Sequence, residues 1–207
     1  MEAVLDVYER PYNKRYPVVN LDESPKQLIS EVRDNFVDSK GVVHEDFEYT
    51  REGVADIYMI VEALAGRREV HVENNHSSKT YAKIIAHIAE EMYPDAKKIT
   101  LIEDNLSAHK LSALYEICEP ERARNIIKRI EVVRTPKHGS WLNVAECELS
   151  VLTRQGLKRR TPNKATLIQD VTAWYEDRNE KMRKVNWQFT TKNARIKLKR
   201  LYPTFSS

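Results

Sequence analysis

Two hydrophobic periodicities, and the order in which they occur, constrain this chain more than any single residue. Up to Glu73 the apolar residues fall in strand-like blocks. Residues 16–21 (YPVVNL) read as a buried strand that ends at Asp22-Glu23. Residues 47–51 alternate apolar and polar, and Glu52-Gly53 marks a turn. Residues 54–64 form a longer apolar strand, and Ala65-Gly66 turns into 68–73, where Val70 and Val72 alternate with polar residues. The last three blocks predict an antiparallel three-stranded meander whose first member is short. At Ser78 the period changes: Tyr81, Ile84, Ile85, Ile88 and Met92 share one helical face until Pro94 stops the helix. A strand over 98–104, helical stretches over 108–118 and 121–129, and a short strand over 130–134 follow. From Ser140 onward every segment reads as helix. Leu142, Ala145, Leu149 and Leu152 make one stripe, and Thr161-Pro162 is placed as N-cap and first helical residue. That helix carries Leu167, Ile168, Val171, Trp174 and Tyr175 on one face, and a last helix begins near Thr190. A meander followed by alternating helix and strand predicts an α/β fold: a mixed sheet, with parallel strands added to the meander, flanked by helices on both faces. Such sheets receive ligands at the carboxyl ends of their strands. The expected organisation is an N-terminal segment over 1–15, a mixed-sheet domain over 16–160 and a basic helical extension over 161–207.

Composition narrows the functional classes. No apolar run approaches the roughly 20 residues needed to cross a bilayer, and the N-terminus lacks the apolar stretch of a signal peptide. Two cysteines, Cys118 and Cys147, without a CxxC, argue against a disulfide framework or a cysteine-rich zinc site and fit a reducing cytoplasm. Net charge is +3 but uneven: from Arg134 onward there are 16 Lys+Arg against 6 Asp+Glu, and before it 18 against 25. A basic C-terminal half points to a polyanion, most simply nucleic acid, or to the solvated faces of lysine-rich helices.

Three carboxylates stand out by placement. Asp22 follows the first strand, Asp104 follows the strand at 98–104, and Glu146 lies in the first turns of a helix. Two strand ends and a helix start can converge at one sheet rim. Oxygen-only ligands suit Mg²⁺ or Mn²⁺, and two such ions support phosphodiester cleavage. The plainer readings are that Asp104-Asn105 is a turn or helix cap and that Glu146 is a solvated helix charge. Glu23 and Glu103 sit beside the candidates, and strand alternation by itself does not choose between neighbours. No GxxxxGK[ST], GxGxxG or HExxH occurs, and "HGSWLN" offers no GxSxG frame. The six histidines show no tight ligand spacing, and His71 reads as a surface residue alternating outward on its strand.

"TPKHGSWLNVAECELSVLTRQGL" (residues 135–157) resembles the third catalytic block of bacterial insertion-sequence transposases related to the Tc/mariner superfamily, in which an Asn-x-x-Glu pattern delivers the last acid of a DDE triad. Here that pattern is Asn143-Val144-Ala145-Glu146. "IEDNLSAH" resembles the second block, giving Asp104 with Asn105 and His109 alongside, and "VVNLDESPKQLI" the first, giving Asp22 rather than Glu23. "NWQFTTKNARIKLKRLYP" is similar to the C-terminal ending of the same group. The resemblance implies an RNase H-like fold and a DNA endonuclease and strand-transferase site in which Asp22, Asp104 and Glu146 hold two Mg²⁺ or Mn²⁺ ions. Water attacks a phosphodiester at a transposon end, and the freed 3′-hydroxyl then attacks target DNA. It implies double-stranded DNA as substrate, a homodimer or larger synaptic assembly, and a cytoplasmic, nucleoid-associated location. Such transposases carry an N-terminal helix-turn-helix region before the catalytic domain, and this chain starts with what looks like the linker. Salt-sensitive, largely non-specific DNA binding is therefore expected.

With DNA as partner, the basic positions sort into two sets. Lys137, His138, Asn143, Arg154, Lys158, Arg159 and Arg160 flank the third acid, and Lys192, Arg195, Lys199 and Arg200 form a second patch. The alternatives are a catalytically idle fragment that regulates transposition by pairing with full-length subunits or occupying DNA, and another RNase H-like nuclease such as a junction resolvase.

Overall fold

The strand-forming blocks assemble into one five-stranded sheet with mixed polarity. The computed structural model describes residues 1–33, 36–44, 47–137 and 139–202. Helix α1 spans Glu2–Tyr8, followed by β1 (Val18–Glu31), a two-residue hairpin β2 (Phe36–Val37) and β3 (Val43–His44), β4 (Tyr49–Glu62) and β5 (Arg67–Glu73). Then come α2 (Ser78–His87), β6 (Ile99–Glu103), α3 (Pro120–Arg129), β7 (Ile130–Arg134), α4 (Val144–Gln155), α5 (Lys164–Glu180) and α6 (Thr191–Lys197). The sheet order is β5-β4-β1-β6-β7. β4 runs antiparallel to β1 and β5, whereas β6 is parallel to β1 and β7.

The expected mixed α/β sheet is present, and four local readings change, one being that the helical stretch expected over 108–118 is only a 3-10 segment over Leu111–Glu116. The strand at 16–21 does not stop at Asp22: β1 continues to Glu31, with β4 as its partner throughout. Residues 47–51 and 54–64 are not separate strands. Glu52-Gly53 is a bulge inside β4, where two residues oppose Leu28 alone. Gly53 has φ +103, a conformation that L side chains rarely adopt, which is why a glycine there looks like a turn in sequence. The N-cap of α5 is Asn163, whose side chain accepts the Thr166 N–H, rather than Thr161. Thr161 is instead buried, and its carbonyl takes the Ile29 N–H at 2.8 Å, beside the bulge.

Strand alternation divides the core. Val19, Leu21, Tyr58, Ile60, Ile99 and Leu101 face α2 and α3. Ile57, Met59, Val61, Val70 and Val72 face α4 and α5, meeting Ala145, Leu149, Leu152, Leu167, Val171 and Trp174. α1, inside the segment expected as a linker, buries Val4, Leu5 and Val7 against Ile102, Leu142 and Ala194 of α6. Among the described residues no helix is long and apolar enough to cross a membrane.

Candidate active site

Asp22 and Asp104 reach the same rim because of register. The parallel pairing of β1 with β6 ends at Asn20↔Ile102. Each acid lies two residues further on, so they share a parity and project to the α4 side. The neighbours have the opposite parity. Glu103 is fully buried and accepts the Tyr81 hydroxyl at 2.8 Å. Glu23 lies 3.1 Å from His109 Nε2. Asp22 thus shares the face of α4, while Glu23, turned toward His109, also lines the edge of the same cleft.

Glu146 approaches from the helix. Asn143 caps α4 with its Oδ1, accepting the Ala145 N–H at 3.1 Å. Its amide nitrogen donates to Leu21 O at 2.9 Å and to Asp22 Oδ2 at 3.3 Å. One side chain thus ties the helix start to the strand that carries the first acid. Two residues after Glu146, Glu148 turns inward and pairs with Arg68 at 2.7 and 2.9 Å and with Arg178 at 3.0 Å. These bonds hold the helix against β5 while Glu146 faces outward. Asp22, Asp104 and Glu146 line one cleft of about 440 Å³ with Thr135, Ser140 and Ser150.

The electrostatics of the three acids differ. Burial, with Glu23, Asp104 and Glu146 as further repulsive charges, pushes the Asp22 carboxyl up to about 7, against the Glu23 N–H bond that favours the anion. The contact with His109 holds Asp104 below the usual carboxylate range. Its Oδ1 accepts the Leu106 N–H at 2.9 Å and stands 3.0 Å from His109 Nδ1, at an angle too poor for a hydrogen bond. Asp104 is thus a turn residue and a cleft residue at once. Burial disfavours a charged His109, but Asp104 and Glu23 outweigh it and raise the imidazole to about 10. Tyr81 stacks on that ring at 4.7 Å.

Glu146 Oε2 is buried and accepts no hydrogen bond. An unpartnered carboxylate oxygen beside two more carboxylates is costly without a cation, so this donor set fits hard divalent ions. The ligand oxygens of the three acids do not all lie within 4.8 Å of one another. A set that brackets two ions about 3.5–4 Å apart spans more than one ion's coordination shell.

The basic residues fare unequally. Lys137 is exposed and lines a groove that adjoins the cleft and also includes Asp104 and Asn105. Arg134, which the sequence reading passed over, lines the same groove, donates to His109 O at 2.8 Å and lies 3.5 Å from Glu103. Its signal was its position as the last residue of a strand next to the acid strand. Lys158, Arg159, Lys192, Lys199 and Arg200 are exposed, and Arg154 is exposed with its Nε on Ser150 O. Asn143, expected to contact DNA, is instead 1% exposed and committed inside the protein. Arg160 is paired with Glu31 and lies over the Tyr49 ring, and Arg195 is held by both oxygens of Glu2. His138 lies outside the described residues. Trp141 packs against Trp187 and Phe189, and Trp174 is buried with its indole N–H on Gln155.

The chain is similar to known proteins in two ways. The Mos1 mariner paired-end complex with Mn matches at TM-score 0.57 and 14% identity, over 88% of this chain and 54% of that one. The Mos1 strand transfer complex matches at TM-score 0.56 and 12% identity, over 88% and 56%. These likenesses carry the RNase H-like fold, and the chain spans little more than half the length of those proteins. A comparison with curated proteins finds no match. The family model described as DDE superfamily endonuclease matches residues 17–168, which include all three acids. By that match, over well more than half its length, the chain belongs to the DDE superfamily endonucleases.

Proposed function

We propose that this chain is the catalytic domain of a DDE transposase, which cleaves phosphodiester bonds at transposon ends and joins the 3′-hydroxyl to target DNA. The observation that carries this reading is the shared cleft of Asp22, Asp104 and Glu146, with one Glu146 oxygen buried and unpartnered. The three acids hold two Mg²⁺ or Mn²⁺ ions, and manganese accompanies one structural relative. When bound, such ions supply a hydroxide-like nucleophile and charge stabilisation at the leaving oxygen.

The chain's own residues do the positioning. Asn143 fixes Asp22 relative to α4, and the His109 imidazolium fixes Asp104 from behind and balances its charge. Lys137, Arg154, Lys158 and Arg159 contact DNA phosphates beside the cleft, and Lys192, Lys199 and Arg200 do so from the second patch. Such contacts place the backbone without reading sequence. Binding therefore weakens linearly with log salt and shows little sequence preference in this chain alone.

The test is incubation with supercoiled plasmid and Mg²⁺ or Mn²⁺. Nicking that disappears in Asp104→Asn and Asp22→Asn but persists in Glu23→Gln is expected. Nicking unaffected by Asp104→Asn removes the proposal. DNA binding without nicking, with a helix-turn-helix region supplied, assigns the chain to regulation instead.

A further inference from the structure

Far from the acid cleft in the sheet order, on the edge strand β5, Glu69 and His71 share a face and meet His87 of α2. His71 Nε2 lies 2.9 Å from Glu69 Oε1, and His87 Nε2 lies 2.5 Å from the same oxygen. The two rings approach edge to face, with centroids 4.6 Å apart. Among the described residues this is the only group of three acids or histidines whose ligand atoms all fall within 4.8 Å of one another.

We infer that Glu69, His71 and His87 form a binding site for one zinc-type transition-metal ion, which pins the edge strand β5 to helix α2. Two imidazoles and one carboxylate are a zinc ligand set that leaves a fourth position for water. Imidazole nitrogen suits zinc and poorly suits Mg²⁺, so this site and the acid cleft differ in the ions they select. A tetrahedral ion at about 2.0–2.1 Å needs ligand atoms about 3.3 Å apart, so the two contacts to Glu69 Oε1 lengthen by less than about 1 Å to admit one.

A second feature points the same way. His87 presents its other nitrogen, Nδ1, to Glu91 Oε2 at 3.1 Å, one helical turn on. A carboxylate behind a metal-binding histidine fixes its tautomer and aims its free nitrogen at the ion. Arg67 stands 4.0 Å from Glu69 Oε2, leaving Oε1 to face the rings. All three side chains are 21–26% exposed, so the ion enters from solvent at a sheet edge without unfolding the core. Without an ion, the same atoms form a hydrogen-bonded cluster in which Glu69 Oε1 accepts from both rings, and the experiment separates the two states.

The full chain is stripped with chelator and titrated with Zn²⁺ alone by calorimetry, with thermal unfolding in parallel. One equivalent of tight binding and a rise in Tm of several degrees are expected. Bound Co²⁺ gives the intense visible bands of a tetrahedral ion, a readout that needs no variant. His71→Gln and His87→Gln each abolish the tight equivalent, and Glu91→Gln weakens it about 10-fold. Asp104→Asn leaves it intact. Excess Mg²⁺ does not displace the zinc. Absence of a tight equivalent, or one that survives both histidine variants or is lost with Asp104→Asn, overturns the inference. Because the readout is zinc binding rather than cleavage, its failure says nothing against the nuclease reading, nor the reverse.

Discussion

Helix α4 carries two glutamates in opposite circumstances. Glu148 is buried and held by Arg68 and Arg178. Glu146, two residues earlier, has a buried oxygen with no partner and faces Asp22 and Asp104 across the cleft. The same side chain, on the same helix, is neutralised by two arginines in one place and keeps an unpartnered oxygen in the other. Stability and chemistry are therefore separated by about half a helical turn.

The sharpest way to break this contrast is at Glu148. Glu148→Ala leaves the Arg68 guanidinium, 1% exposed, without its partner, and the expected cost is about 3–5 kcal/mol of unfolding free energy in denaturant titrations. Glu146→Gln should do the reverse. Metal-dependent nicking falls by more than the 10–100-fold typical of residues that only orient a ligand, while the denaturant midpoint moves by less than about 0.5 kcal/mol. If Glu146→Gln unfolds the protein as Glu148→Ala does, the division is wrong.

Asp22 sharpens the comparison through pH. Its carboxyl holds a proton to about 7 in the fold and to about 4 when unfolded, so the native state binds the extra proton between those values. The metal-free protein should then lose stability as pH rises from about 4 to 7, on the order of 4 kcal/mol at most. Thermal unfolding in chelator, for wild type against Asp22→Asn, reads this as a slope present in the first and absent in the second. Mg²⁺ at neutral pH restores the lost stability. The smallest effect is expected at the tie between helix and strand: Asn143→Ala costs about 1–2 kcal/mol as a lost cap and lowers nicking without changing metal preference.

Much of this arrangement was legible in the chain. The period change at Ser78 gave the mixed sheet, and the 130–134 strand is β7, bound for bound. The three acids stood out by their places at two strand ends and a helix start, the family resemblance named them as a set, and they share a cleft. What failed has local causes. Gly53 signals a turn and a bulge with the same φ, so the continuous β4 was cut in two. Thr161-Pro162 has the chemistry of a helix start, but Ile29 claims the Thr161 carbonyl and Asn163 takes the cap. The choice of Asp22 over Glu23 came from the resemblance of the first block, because strand alternation cannot make it and the bond from Asn143 to Asp22 joins residues about 120 apart. His71 and His87, unremarkable by spacing, meet only because α2 crosses the edge strand.

The double attachment of Asn143 has a mechanical consequence. By gripping Leu21, Asp22 and the first turn of α4 at once, it fuses the sheet-borne and helix-borne acids into a single jaw. Asp104 stands opposite, on the turn after β6, and is held by a different set of contacts, the Leu106 N–H and the His109 ring. Because the two sides of the cleft are held by separate bonds, loss of the Asn143 side chain is expected to loosen Asp22 and Glu146 together and to leave Asp104 in place.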